Sequence, residues 1–210
     1  HPLLESSAAS DVYKRQEMKF RDILDGLANT IAMGEIATDL GDYDVTTSAL
    51  PVQRVSGTDP RYDAPYASTH LQYVDPDRPR YWDPSVQPTI NQYLGAEQQR
   101  GYKWAWGRPL TTGVVTILPP NSPICVNNNS QNYGVLAPSS RHQGGAHVLM
   151  ADGAVIFITD SIEAGNSTAK PVHRNNVPPD AVPGAFSPYG LWGALGTRAN
   201  KETIAEQMTQ

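Results

Sequence analysis

The stretch Arg141-His142-Gln143-Gly144-Gly145-Ala146-His147-Val148-Leu149-Met150-Ala151-Asp152-Gly153-Ala154-Val155-Ile156-Phe157-Ile158 decides the fold. Two apolar runs, 146–151 and 154–158, are separated only by Asp152-Gly153. Asp-Gly favours a two-residue type I′ hairpin turn, which needs positive φ at both central positions. That turn sets a register in which Met150 faces Val155, Leu149 faces Ile156, Val148 faces Phe157 and His147 faces Ile158. One face then carries His147, Leu149, Ile156 and Ile158, and the other Val148, Met150, Val155 and Phe157. Both faces are largely apolar, so the hairpin is expected at the centre of the fold, covered on two sides. Gly144-Gly145 lets the chain turn sharply into the first strand.

Upstream, Phe20, Ile23, Leu24 and Leu27 have helical spacing within residues 17–28, and Asp25-Gly26 ends or bends that helix. Residues 30–37 read as a strand with Ile31, Met33 and Glu35 on one side and a bulge expected at Gly34. Residues 39–100 mix many Asp and Pro with Tyr62, Tyr66, Tyr73, Tyr81, Trp82 and Tyr93. They read as a long loop-rich surface excursion, parts of which dock on the core or face a partner. Tyr102, Trp104 and Trp106 alternate with smaller or polar residues, and 114–118 is apolar. Two strands are expected there. Downstream, Gly190, Gly193 and Gly196 predict close backbone packing beneath Tyr189 and Trp192, and residues 201–208 read as a terminal helix. The fold class is therefore α+β. A short N-terminal helix precedes a mainly antiparallel sheet centred on the 146–158 hairpin, with long irregular loops.

The 210 residues include 17 Gly and 18 Pro, with 16 basic and 21 acidic side chains and a net charge of −5. This composition suits one loop-rich domain and excludes a coiled coil. Without a basic run, nucleic acid is not an expected partner. No stretch reaches the roughly 20 apolar residues of a membrane span.

Candidate chemistry is sparse. His142 and Asp152 would form a base–acid pair only if they met, yet they sit at opposite ends of a strand, about 15 Å or more apart. Asp152 is assigned to the turn and His142 to fixing the Gly144-Gly145 approach. His142 and His147 are five apart, an odd number, so an extended chain directs them to opposite faces and no shared metal site is expected. No G-x-S-x-G elbow is present. No enzymatic activity is expected, although a His–carboxylate contact at hydrogen-bond distance would favour a hydrolase. Among the aromatics, Trp104 and Trp192 are assigned to the core. Trp82, with Tyr81 and Trp106, is assigned to a binding or interface surface.

His142, nine residues, then Asp152-Gly153 resembles the C-terminal H-x(9)-D-G signature of a bacterial family of prepilin-like and pseudopilin-like proteins of unknown function. With it, five motifs resemble that family in order, the others being four segments. They are Asp22 to Gly26 with Asn29-Thr30-Ile31 and Gly34-Glu35, Trp104 to Gly107, Leu118 to Pro123 with Cys125, and Pro188 to Arg198. The resemblance implies an exported head domain of the cell envelope, anchored by an N-terminal leader and apolar helix that are missing here. That helix would mediate self-assembly or contact with envelope components. Residues 1–16 match nothing in the pattern, and Ser10 to Gln16 resembles translated adaptor sequence, so the head is read as residues 17–210 with an insertion at about 39–100. Relatives of this kind sometimes carry calcium, for which Asp160 and Glu163 are the candidate ligands. Cys125 is either a small buried hydrophobe or half of a disulfide to the missing segment. The family's solute-binding-like label keeps an extracellular glycan- or peptide-binding module as the alternative function.

Overall fold

The computed structural model describes residues 18–57, 69–172, 182 and 184–200. The predicted helix over 201–208, and Asp59, Tyr62, Asp63 and Tyr66 of the predicted excursion, lie outside the described residues. Among the described residues the architecture is α+β, with two small sheets, four short helices and much irregular chain. One sheet has the order β1 (Ile31–Gly34), β5 (Gly145–Met150), β6 (Val155–Thr159), all antiparallel. The other joins three two-residue strands, β2 (Leu50–Pro51), β3 (Cys125–Val126) and β4 (Gly134–Val135), with β2 parallel to β3. The helices are α1 (Val52–Ser56), α2 (Gln87–Gln98, interrupted at Gly95), α3 (Pro109–Thr112) and α4 (Gly190–Leu195).

The hairpin forms, but one residue out of the expected register. His147 pairs with Phe157, Val148 with Ile156 and Leu149 with Val155. The loop is Ala151-Asp152-Gly153. The Gly153 N–H donates to the Met150 carbonyl at 3.0 Å and the Met150 N–H to the Ala154 carbonyl at 2.8 Å. Only Gly153 takes positive φ, at 95°, and Asp152 does not. Asp152 Oδ1 accepts the Ala154 N–H at 2.9 Å. Asp-Gly here builds a three-residue loop ending in a left-handed glycine, in place of the two-residue type I′ turn. Because side chains alternate with period two, the slip changes the partners on each face. Ala146, Val148, Met150 and Ile158 are buried, whereas Val155 and Phe157 are exposed. One face of the sheet is covered, not two.

A second irregularity acts on β1. Ile31 pairs with Met150 but Met33 with Leu149, so Ala32 is the extra residue of a bulge. The bulge lies two residues before the expected Gly34. It separates Ile31, which packs in the core, from Met33, which is 68% exposed.

Two apolar cores result. The smaller holds Val148, Met150, Ile158, Trp192 and Leu195, with α4 packed under the hairpin. The larger gathers Leu50, Trp82, Ile90, Leu94, Leu110, Ile124, Val126 and Leu136 around the second sheet. Residues 39–100 are thus no surface excursion, since much of the larger core comes from them. Trp192 joins the two cores. It is fully buried as expected, and its Nε1–H donates to the Leu118 carbonyl at 2.8 Å. Cys125 is buried in the larger core, where burial pushes its thiol up to about 12.

Three further expectations are corrected. The N-terminal helix is replaced by two 3₁₀ turns, Phe20–Asp22 and Leu27–Asn29. This segment is tied to the chain at 197–200 by hydrogen bonds, not docked by an apolar stripe. The Leu24 N–H donates to the Arg198 carbonyl, and the Asp25 carboxylate accepts from Thr197 Oγ1 and the Asn200 N–H. Residues 101–119 form turns and α3, not two strands: α3 occupies the expected connection, while 101–105 is turn and 113–119 is irregular chain. The tryptophans also exchange roles. Trp82 is fully buried with Nε1–H on the Ser48 carbonyl at 2.6 Å, whereas Trp104 is 82% exposed.

Trp82→Ala should therefore cost about 3–5 kcal/mol and Trp104→Ala under about 0.5 kcal/mol, read by urea unfolding. Equal costs would contradict the packing. His70 supplies a pH test. It is buried, with Nε2 2.9 Å from the Pro123 carbonyl, and burial lowers its pKa from 6.5 to about 4. Between those values the unfolded chain binds a proton that the folded chain refuses. Stability should consequently fall as pH drops from 6.5 toward 4, by up to roughly 3 kcal/mol from this residue. His70→Gln should flatten that part of the unfolding-midpoint profile.

Candidate metal centre

Three side chains converge where the open face of the first sheet meets the turn before β5. They are Glu35, His142 and His147. Glu35 follows β1 directly. Its N–H donates to the His147 carbonyl at 2.9 Å, and its own carbonyl accepts the Ser139 N–H at 2.9 Å. The backbone of Glu35 is thereby pinned between β5 and the 138–140 segment. The bulge at Ala32 places Met33, and two residues later Glu35, on the face where His147 emerges.

His147 stands inside β5, opposite Phe157, whose ring centroid is 5.1 Å away. Glu35 Oε2 accepts the His147 backbone N–H at 2.9 Å and lies 3.1 Å from His147 Nδ1. His142 arrives from outside the sheet. Ser140 Oγ accepts the His142 N–H at 3.0 Å and donates to the Gly145 carbonyl at 2.6 Å. Asn121 Oδ1 accepts the Ser140 N–H at 2.9 Å, and Asn121 Nδ2 donates to the Gly145 carbonyl at 3.2 Å. Gly144, at φ 81°, closes this turn, and the Gly145 Cα faces β6 so closely that a Cβ would lie 2.1 Å from the Ile158 carbonyl oxygen. The result brings His142 Nε2 to 3.4 Å from Glu35 Oε1 and the two imidazoles edge-to-face, 5.0 Å between centroids.

The odd-spacing argument therefore fails at His142. It holds only for continuous extended chain, and the strand begins at Gly145. The Gly144-Gly145 pair was the feature that could have shown this. Burial alone would raise the pKa of Glu35. The His147 N–H, the His147 ring and the charges of both imidazoles outweigh it and hold the carboxyl below its usual range. Side-chain exposures of 32%, 56% and 43% for Glu35, His142 and His147 leave the cluster open to solvent. An ionised carboxylate and two imidazoles in this arrangement can exchange protons or hold a cation, and the 3.1 Å Glu35–His147 contact is the His–carboxylate contact named above as favouring a hydrolase.

The other sequence-assigned residues lie elsewhere. Asp152 and Gly153 serve the hairpin loop, at the far end of β5 from His142. Glu163 is engaged by backbone. Its Oε1 accepts the Gly165 N–H at 2.6 Å and its Oε2 the Leu191 N–H at 2.7 Å, which fixes the start of α4. Asp160 is exposed, and its N–H donates to the Gly144 carbonyl. Among the described residues, the groups able to hold a metal include neither Asp160 nor Glu163. Tyr81 is half-buried, with the Arg78 guanidinium 5.6 Å from its ring centroid. Trp106 is half-buried, with the Arg108 guanidinium 3.5 Å and Lys103 Nζ 4.8 Å from its ring centroid. Trp82, buried in the core, cannot serve a binding surface. No helix among the described residues is long and apolar enough to cross a membrane.

No curated protein and no solved structure matches the chain. Residues 5–165 match the profile named SBP_bac_10 and described as "Protein of unknown function (DUF1559)". That span is well over half of the 210 residues, and the chain belongs to the DUF1559 family.

Proposed function

We propose that this chain is the globular head of a prepilin-like envelope protein with a structural, non-enzymatic role. Family membership supports the reading, and one observation carries it. The sheet β1-β5-β6 is covered by α4 on one face, while its other face presents Met33, Val155 and Phe157, which are 68%, 65% and 43% exposed, beside half-buried Leu149. An apolar sheet face left uncovered suits a covering element supplied by assembly. An apolar helix of the kind that the prepilin resemblance implies has the right chemistry to cover it and to anchor the head. The test is envelope fractionation of the full natural protein, combined with cross-linking from Val155→Cys. Recovery in the membrane fraction with a Val155-directed cross-link to that helix or to a second copy is expected. A cytosolic, monomeric protein without such cross-links would refute the reading.

The exposed aromatic turn favours the second reading, an extracellular binding module. Tyr102, Trp104 and Trp106 line one open hollow, with Trp104 almost wholly in solvent. Flat, exposed rings of this kind stack on sugar faces. On a glycan array, binding by the intact chain that disappears with Trp104→Ala would favour this reading over the structural one. An array unchanged by the substitution, or blank, would remove it.

A further inference from the structure

We propose that Glu35, His142 and His147 form a binding site for a late first-row divalent metal ion, with zinc as the preferred occupant among the redox-inert ions. Ligand atoms bound tetrahedrally at about 2.0–2.2 Å from zinc lie roughly 3.3–3.6 Å from one another. The Glu35 carboxylate already sits near that distance from each imidazole, through a different oxygen to each. Glu35 Oε1 to His142 Nε2 is 3.4 Å and Glu35 Oε2 to His147 Nδ1 is 3.1 Å. All three donor atoms lie within 4.8 Å of one another. The remaining closure falls on His142, which is the most exposed of the three and stands on the glycine-flanked turn.

The donors are held by unrelated parts of the fold. Glu35 is fixed by two backbone bonds after the bulged strand, His147 by strand pairing, and His142 by the Ser140–Asn121 turn. Such preorganisation lowers the cost of gathering the ligands, and Phe157 shields one side from water. Two nitrogens and one carboxylate suit zinc, copper, nickel or iron(II). Calcium instead takes six to eight oxygens, so this site should reject it. Three protein ligands with an exposed approach leave at least one coordination position for water or an incoming donor. When the ion enters, any imidazole proton shared with Glu35 is released to solvent, and the carboxylate–imidazole contacts become metal bonds. The site does not depend on the role of the open face, since zinc binding is measured on the isolated chain.

The experiment is calorimetric titration of the untagged 210-residue chain with zinc, then calcium, alongside visible absorption of the cobalt(II) form. One zinc per chain at micromolar or tighter affinity, a tetrahedral cobalt spectrum and no calcium binding are expected. His142→Ala is the decisive variant, because an exposed turn residue can be removed without unfolding the sheet. It should weaken zinc binding at least tenfold with an unchanged circular dichroism spectrum and unfolding midpoint. Glu35→Gln and His147→Ala should weaken it as much, and Asp160→Asn not at all. A His1→Ala/His173→Ala double variant, removing histidines that lie outside the described residues, should bind as the parent does. Failure of the parent chain to bind zinc, or full affinity in His142→Ala, would overturn the proposal.

Discussion

The parity of β5 against its two neighbours governs this fold. A strand offers alternate side chains to opposite faces, so each pairing must be correct to the residue. The structure sets that parity with one irregularity on each side. The three-residue loop at Gly153 aligns β6 so that Ile156 and Ile158 meet Val148 and Ala146 on the covered face. The bulge at Ala32 aligns β1 so that Ile31 joins the same core while Glu35 reaches the opposite face. Without either adjustment an apolar strand would turn its core residues outward. The convergence of Glu35 with His147 is a product of the same adjustment, so site and core share one geometrical cause.

Much of this was legible in the residues. The hairpin, the strand before Glu35, the buried Trp192 with its close-packed glycines, and the α+β class all follow from local pattern and turn chemistry. The register did not, because Asp-Gly serves both a two-residue loop and the end of a three-residue loop. The choice depends on whether Asp152 itself takes positive φ. The cluster was missed for a related reason. Periodicity relates His142 to His147 only within a strand, and it is silent about a side chain folded back from a turn. Glu35 lies over a hundred positions away, beyond the reach of any spacing argument.

The larger core was hidden by composition. Residues 39–100 look like solvent-facing chain because Asp and Pro are so frequent there. Several of those Asp side chains instead serve the backbone. Asp44 accepts the Thr46 N–H and pairs with Arg80 at 2.7 Å, and Asp75 accepts from the Asp77 and Arg78 N–H groups and pairs with Arg78 at 2.9 Å. These short-range bonds let turns replace long strands and bring Val45, Trp82 and Val86 inward. Aromatic residues in such chain cannot be sorted into surface and interior by sequence context. Trp82 sits among Asp and Pro yet is buried, and Trp104 sits among aromatics yet is solvated.

The outer strand of the first sheet carries a consequence for the protein's handling. Val155-Ile156-Phe157-Ile158-Thr159 has high β-propensity and contains neither charge nor proline. Among the described residues nothing pairs with its far edge, and two of its outward residues, Val155 and Phe157, are apolar. An edge of this composition is a template on which another extended chain can add, in register or out of it. Asp160 is the only charged residue adjoining the strand, so the barrier to fibre-like growth is a single carboxylate at its end. Protein concentration would then decide whether preparations stay dispersed or polymerise through β6.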